Sequence, residues 1–221
     1  DIYLESWKQG LKGITVYRDG SRSGVLVSTE ENPKEEAASM NTAPTRPEVL
    51  DAKVIRFKNE NEDWLAVVGL LNDRPYEIFT GKAEDAFALP QYVSQGWIIK
   101  NAEEENTRYD FRYKDSAGFK VTIEGLSRSF NKEFWNYAKL ISGVLRHGMP
   151  LPYVVDMISN LHLDKDYINT WTNGVARALK SFIKDGTQAV DKTCSSCGDQ
   201  EGLIYEEGCL KCKSCGYTKC G

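Results

Sequence analysis

The chain has 221 residues, 41% of them hydrophobic and 27% charged, with a formal net charge of −4. That length supports one sizeable core with an appendage, or two modest domains, and the composition is that of a globular protein rather than a disordered or fibrous one. The acidic balance supplies no overall basic footprint for nucleic acid, no apolar run approaches membrane-spanning length, and the first residues lack a secretory pattern.

Residues 1–27 read as the end of a helix carrying Trp7 and Leu11, then a strand from Ile14 to Tyr17, a turn at Asp19-Gly20 and a short strand from Val25 to Val27. So short a piece cannot bury a core, and a sequence starting Asp-Ile-Tyr reads as a fragment or partner subunit of something larger. Within it, Tyr17-Arg-Asp-Gly-Ser-Arg22 is either an anion-holding turn between two arginines or a salt-bridged β-turn. Residues 28–46 are polar, contain two prolines and read as a linker.

Residues 47–186 form the body. Ala52 to Phe57, Trp64 to Leu71, Tyr76 to Thr80 and Gly96 to Lys100 are short apolar or β-branched runs, the first three divided by turn-forming residues at 59–63 and 72–75. Tyr109, Phe111 and Tyr113 alternate, Asp115 to Gly118 turns, and Phe119, Val121 and Ile123 alternate again, which predicts a hairpin with one buried face. Three helices follow. Phe134, Tyr137, Ala138, Ile141, Val144 and Leu145 make one apolar stripe, capped by Asn131 and stopped at Gly148. Pro152 opens the second helix, and the third carries Val175, Ala178, Leu179, Phe182 and Ile183 as far as Asp185-Gly186. Strands followed by helices, rather than alternating with them, predict an α+β fold: a mainly antiparallel sheet with about three helices on one face, then a small C-terminal ribbon. His147 and His162 read as structural, and Trp64, Trp97, Trp135 and Trp171 as core or interface aromatics.

All six cysteines lie in the closing segment, 187–221: Cys194-x2-Cys197, Cys209-x2-Cys212, Cys215 and Cys220. Clustered C-x2-C spacing in a chain with no other cysteine points to metal or redox chemistry in a reducing compartment, the cytosol, rather than to a secreted disulfide framework. Four thiolates close a tetrahedral zinc site and leave no open position, so such a zinc is structural. Two registers are open. Cys194, Cys197, Cys212 and Cys215 share the pattern C-x-x-C-G, whose glycine permits a tight turn, and this register leaves Cys209 and Cys220 as a redox pair. Cys209 in place of Cys215 leaves Cys215 and Cys220 instead. Lys219 beside Cys220 favours its thiolate, and a terminal position offers reach to another site.

The competing reading is a binding module. Lys192, Lys211, Lys213 and Lys219 give the ribbon a local positive cluster that can touch phosphates, offset by Asp199, Glu201, Glu206 and Glu207. A nucleic-acid ribbon has no need of two surplus thiols, so nucleic acid is the weaker expectation.

The tail, from Cys194-x2-Cys-Gly to Glu207-Gly-Cys-Leu-Lys-Cys-Lys-Ser-Cys-Gly-Tyr-Thr-Lys-Cys220, resembles the cysteine-rich C-terminus of adenosylcobalamin-dependent (class II) ribonucleotide reductases. Gly10-Leu-Lys-Gly-Ile-Thr-Val-Tyr-Arg-Asp-Gly-Ser-Arg22 is similar to the end of that family's catalytic barrel. Arg46-Pro47, Arg74-Pro-Tyr-Glu-Ile-Phe79 and Gly81-Lys82 resemble the domain after it. One departure is Ser195-Ser196, where the family has proline after the first cysteine, and the resemblance is weakest over about residues 83–130.

The resemblance implies that 1–27 closes a catalytic barrel whose radical-site cysteines and adenosylcobalamin lie outside this chain. It implies that the C-terminal dithiol re-reduces the disulfide formed there whenever a ribonucleotide becomes a deoxyribonucleotide. A thioredoxin-like protein would then recharge that dithiol. On this reading the chain by itself does not reduce nucleotides; its partners are the catalytic barrel and the reductant, with no membrane.

Overall fold

The computed structural model describes residues 2–13, 43–83, 89–102, 107–126, 130–163, 170–190 and 192–220. The expected strands at 14–17 and 25–27, the arginine turn at 17–22 and most of the 28–46 linker lie outside the described residues. The chain falls into two units, Asp1–Met40 and Asn41–Gly221. In the first, α1 (Ile2–Lys8) buries no residue of its own, and Ile2, Tyr3, Leu4 and Trp7 are all exposed.

The second unit is built on a six-stranded sheet: β1 (Val49–Asn59), β2 (Glu62–Leu71), β3 (Arg74–Lys82), β4 (Gln95–Ala102), β5 (Thr107–Lys114) and β6 (Lys120–Ile123). Their order is β3-β2-β1-β4-β5-β6, with every neighbouring pair antiparallel. The α+β expectation therefore holds. Asn72 and Asp73, both at positive φ, make the two-residue turn between β2 and β3 because that backbone matches the strand twist.

Strands β2 and β3 are buried on both faces. Trp64, Ala66 and Val68 of β2, with Phe57 and Ile78, face the helices, while Leu65 and Val67 join Val54, Phe79, Ile98 and Phe111 in a second core. A strand buried on both sides reads as a continuous apolar run, as Trp64 to Val68 does. The second core exists because the sheet coils. Four strand spacings separate β3 from β5, about 19 Å in a flat sheet. Yet the rings of Phe79 and Tyr109 are 5.2 Å apart. Phe119 departs from the expected buried stripe: it is 70% exposed, whereas Val121 and Ile123 pack against the second core. It precedes β6 and belongs to the turn, where its N–H donates to Asp115 Oδ1.

Three helices cover the outer face: α2 (Lys132–Arg146), α3 (Leu151–Ser159) and α4 (Trp171–Lys180). The Asn131 side chain caps α2 by accepting from the Glu133 N–H, and Thr170 caps α4 by accepting from Asn173. The third helix ends at Lys180, short of the predicted 185–186, because Phe182 and Ile183 turn back with hydrogen bonds to Leu179 and Lys180 carbonyls. Edge strand β3 would present unpaired backbone groups. The Ser142 hydroxyl of α2 accepts from the Ile78 N–H, and the Trp171 indole of α4 donates to Thr80 Oγ1.

Helix α4 crosses β1 at Gly174. A Cβ there would lie 2.0 Å from the buried Phe57 ring. Alanine gains about 1 kcal/mol in helix propensity, but overpacking costs about 1–3 kcal/mol. Gly174→Ala is therefore expected to lower the urea midpoint of unfolding; an unchanged or higher midpoint would show that the ring has room to move.

Candidate metal and redox centre

The segment after α4 is anchored to the body, not a free tail. The Gly186 N–H donates to the Tyr205 carbonyl, Tyr205 N–H to Thr187, and Ala189 N–H to Leu203. These bonds lay 186–189 beside β7 (Leu203–Glu206), which pairs with β8 (Cys209–Cys212), and β8 in turn pairs with β9 (Thr218–Lys219). Leu203, Tyr205, Cys194 and Cys212 are buried in the same core as the helices. The reach expected of a terminal dithiol is confined to the residues beyond Tyr217, which itself packs on that core.

Two like-shaped knuckles hold the cysteines. In the first, Cys194 N–H donates to the Asp199 carbonyl and Gly198 N–H to the Cys194 carbonyl. In the second, Cys212 N–H donates to Tyr217 and Gly216 N–H to Cys212. Gly198 and Gly216 have the same positive φ of 75°, the left-handed backbone that side chains disfavour.

The sulfurs of Cys194, Cys197, Cys212 and Cys215 all lie within 4.8 Å of one another. Cys194 to Cys215 is 3.6 Å and Cys197 to Cys212 is 3.7 Å. Zinc bound tetrahedrally at a Zn–S distance of about 2.3 Å sets its sulfurs about 3.8 Å apart. The donor set and its spacing therefore fit a structural zinc ion. The Cys197 N–H aimed at Cys194, opposed by burial, brings the Cys194 thiol down to about 7.

Cys209 and Cys220 form a disulfide with an S–S distance of 2.06 Å. The register with Cys209 in the metal set, and a Cys215–Cys220 pair, is not the arrangement assembled here. Glu207 and Gly208, both at positive φ, make the tight β7–β8 turn just before Cys209.

Sequence reading missed Asp199 as a link between the knuckles. Its carboxylate accepts from the Ser214 hydroxyl and from the Glu201 and Gly202 N–H groups, which hold it below the usual carboxylate range. An aspartate straight after C-x-x-C-G was the available signal. His147 serves as the C-cap of α2 and His162 is exposed, so neither joins the cysteine site. Among the described residues no helix is long and apolar enough to cross a membrane.

No curated protein and no solved structure matches the chain. A family model does: NrdJ homologue C-terminal domain, over residues 50–184. That span runs from β1 past the end of α4, more than half of the chain, and stops short of the cysteine ribbon. The chain therefore belongs to the NrdJ homologue C-terminal domain family, a ribonucleotide reductase-related C-terminal region.

Proposed function

We propose that this chain is the electron-delivering C-terminal part, or accessory subunit, of an adenosylcobalamin-dependent ribonucleotide reductase. The observation that carries the reading is the division of six cysteines into four gathered sulfurs and one disulfide, on a body of that family. Cys194, Cys197, Cys212 and Cys215 hold a structural zinc, and Cys209 and Cys220 are the working pair. Adenosylcobalamin supplies radical chemistry in the catalytic part, to which this chain contributes no cysteine outside its ribbon.

When the pair is reduced, one thiolate attacks the disulfide of the catalytic part and forms a mixed disulfide. The second thiol attacks that bond, closes Cys209–Cys220 and releases the catalytic dithiol, so two electrons pass outward. A thioredoxin-like dithiol reverses the change on the pair. A transient disulfide of this kind suits the cytosol, where stable ones are rare. Once reduced, Cys220 is held near Cys209 by the two-residue strand β9. Three residues from Thr218 to Cys220 extend about 10 Å, so the catalytic disulfide must approach the ribbon closely.

The test is differential alkylation with mass spectrometry, before and after adding thioredoxin, its reductase and NADPH. Cys209 and Cys220 are expected to cycle together while the other four stay protected with one zinc per chain. Cys209→Ser should abolish cycling and leave the zinc content unchanged. A pair inert to every dithiol would remove the redox role.

A further inference from the structure

Beside the disulfide lies a cleft of about 780 Å³ between α4, the loop 192–195, β8 and the residues around Cys220. Arg177, Lys180, Lys192 and Lys219 line it, over an apolar floor that includes Leu210 and Tyr217. Among the described residues no carboxylate lines it. Lys192 pairs with Asp156 at 3.1 Å, which offsets part of that charge. The cations are close enough to feel one another: burial first, then the charges of Lys192, Arg177 and Lys219, push the Lys180 ammonium down. Cys220 lines this cleft and is exposed, whereas Cys209 is half-buried and does not line it.

We propose that this cleft admits the thiol that recharges the disulfide, that it selects an anionic reductant, and that Cys220 is the sulfur attacked. The proposal rests on the redox reading above and adds to it the entry side, the order of steps and the charge of the partner. The incoming thiolate attacks Cys220 Sγ, forming a mixed disulfide there, while the Cys209–Cys220 bond breaks and its electron pair leaves on Cys209. A second thiol of the reductant then attacks the reductant's own sulfur, and Cys220 departs as a thiolate. The reductant ends as a disulfide and the pair as a dithiol, with two electrons transferred. An arriving thiolate is an anion, and four cations around a partly enclosed cleft concentrate it there. Negative charge carried by the rest of the reductant adds to the attraction, and positive charge opposes it. Such charge is available from a carboxylate-bearing small thiol such as glutathione or from an acidic protein dithiol.

The experiment measures reduction of the oxidised full chain by 2-mercaptoethanesulfonate, 2-mercaptoethanol and cysteamine, which are anionic, neutral and cationic outside their sulfurs. Each rate is corrected for thiolate concentration and for that thiol's rate with a small uncharged disulfide. The anionic thiol is expected to exceed the cationic one by about tenfold at low salt. The ratio should collapse toward unity in about 0.5 M salt, where screening shortens to a few ångströms. Arg177→Gln with Lys180→Gln should shrink the ratio, whereas Lys139→Gln, which does not line the cleft, should leave it unchanged. Acid-quenched intermediates should carry the small thiol on Cys220. Equal corrected rates for the three thiols, or adducts on Cys209, overturn the proposal while the pair still cycles. Failure of every thiol to open the pair overturns the redox reading instead. Repeating the comparison with glutathione and with an acidic thioredoxin identifies the source, since the true one loses rate in the Arg177/Lys180 variant; loss with neither counts against the cleft.

Discussion

Replacing Cys212 by serine, or stripping the metal with a strong chelator, is expected to unfold the ribbon while the sheet and helices stay folded but weakened. The nine residues of β7, β8 and β9 beyond Leu203 are too few to form a core of their own, so on the zinc reading a metal held by the gathered sulfurs supplements their packing on the body. Structural zinc contributes about 10–16 kcal/mol to the folding of zinc-finger peptides near neutral pH. Cys212 is central to the site: it is fully buried, and its carbonyl and N–H both close the second knuckle. The damage spreads to the body because Leu203 and Tyr205 sit in the helical core. Exposing two such side chains costs about 3–6 kcal/mol as an upper bound. Hydrogen exchange should show amides 203–212 losing protection, with a smaller loss in α3 and α4, alongside release of one zinc. Unchanged protection at 203–212 after complete chelation would mean that the ribbon stands without metal, and the structural role would fall.

The strands and helices were legible because their signals are local. Short apolar or β-branched runs marked β1 to β4, period-two alternation marked β5 and β6, and Asn131, Pro152 and Gly148 punctuated the helices as capping chemistry demands. The coiling of the sheet was not legible, because it arises from contacts such as Phe79 with Tyr109, thirty residues apart in sequence and four strands apart in the sheet. Alternation placed Phe119 inside, but a residue one step before the first strand pair obeys the turn's hydrogen bonds and not the pleat. The end of α4 was overshot because the apolar residues Phe182 and Ile183 stay near the core in a tightening turn, so their spacing mimics another helical turn.

In the cysteine segment, spacing alone left two registers open, since Cys209, Cys212 and Cys215 overlap as two C-x2-C pairs. In the folded chain, twin backbone hydrogen bonds at Gly198 and Gly216 close two like-shaped knuckles, a feature the spacing does not reveal. The cationic cleft could not be read from sequence at all. Arg177 and Lys180 belong to a helix some forty residues before Cys220, and folding brings them to one wall. Charged residues in the helix's last turn look like ordinary dipole complements until the ribbon packs beside them.

Glu77→Ala is expected to be among the most damaging single changes in the sheet domain, lowering stability by about 3–5 kcal/mol. Glu77 is 0% exposed and lies on β3 between two arginines. Its Oε1 accepts from Arg46 Nη2 at 2.6 Å, and its Oε2 accepts from Arg46 Nε at 2.9 Å and from Arg146 Nη2 at 2.9 Å. The two-pronged geometry makes the Arg46 pair strong, and the guanidiniums also lie over Tyr109 and Tyr76. Room for the carboxylate is built into the opposite strand. A Cβ on Gly69 would lie 2.8 Å from Glu77 Cγ, and the β2–β3 register shifts between Gly69 and Leu70. Removing the carboxylate leaves the buried Arg46 without its counter-charge, which costs more than the pair ever contributed as a net attraction. Arg146, about one third exposed, can turn toward water, so Arg146→Met should cost less. A triple replacement, Glu77→Leu with Arg46→Met and Arg146→Met, should recover most of the loss, because no uncompensated charge then remains. Urea denaturation of the three variants beside the unsubstituted chain separates the two costs. Were the triple variant as unstable as Glu77→Ala alone, packing around the carboxylate rather than stranded charge would be the source of the loss.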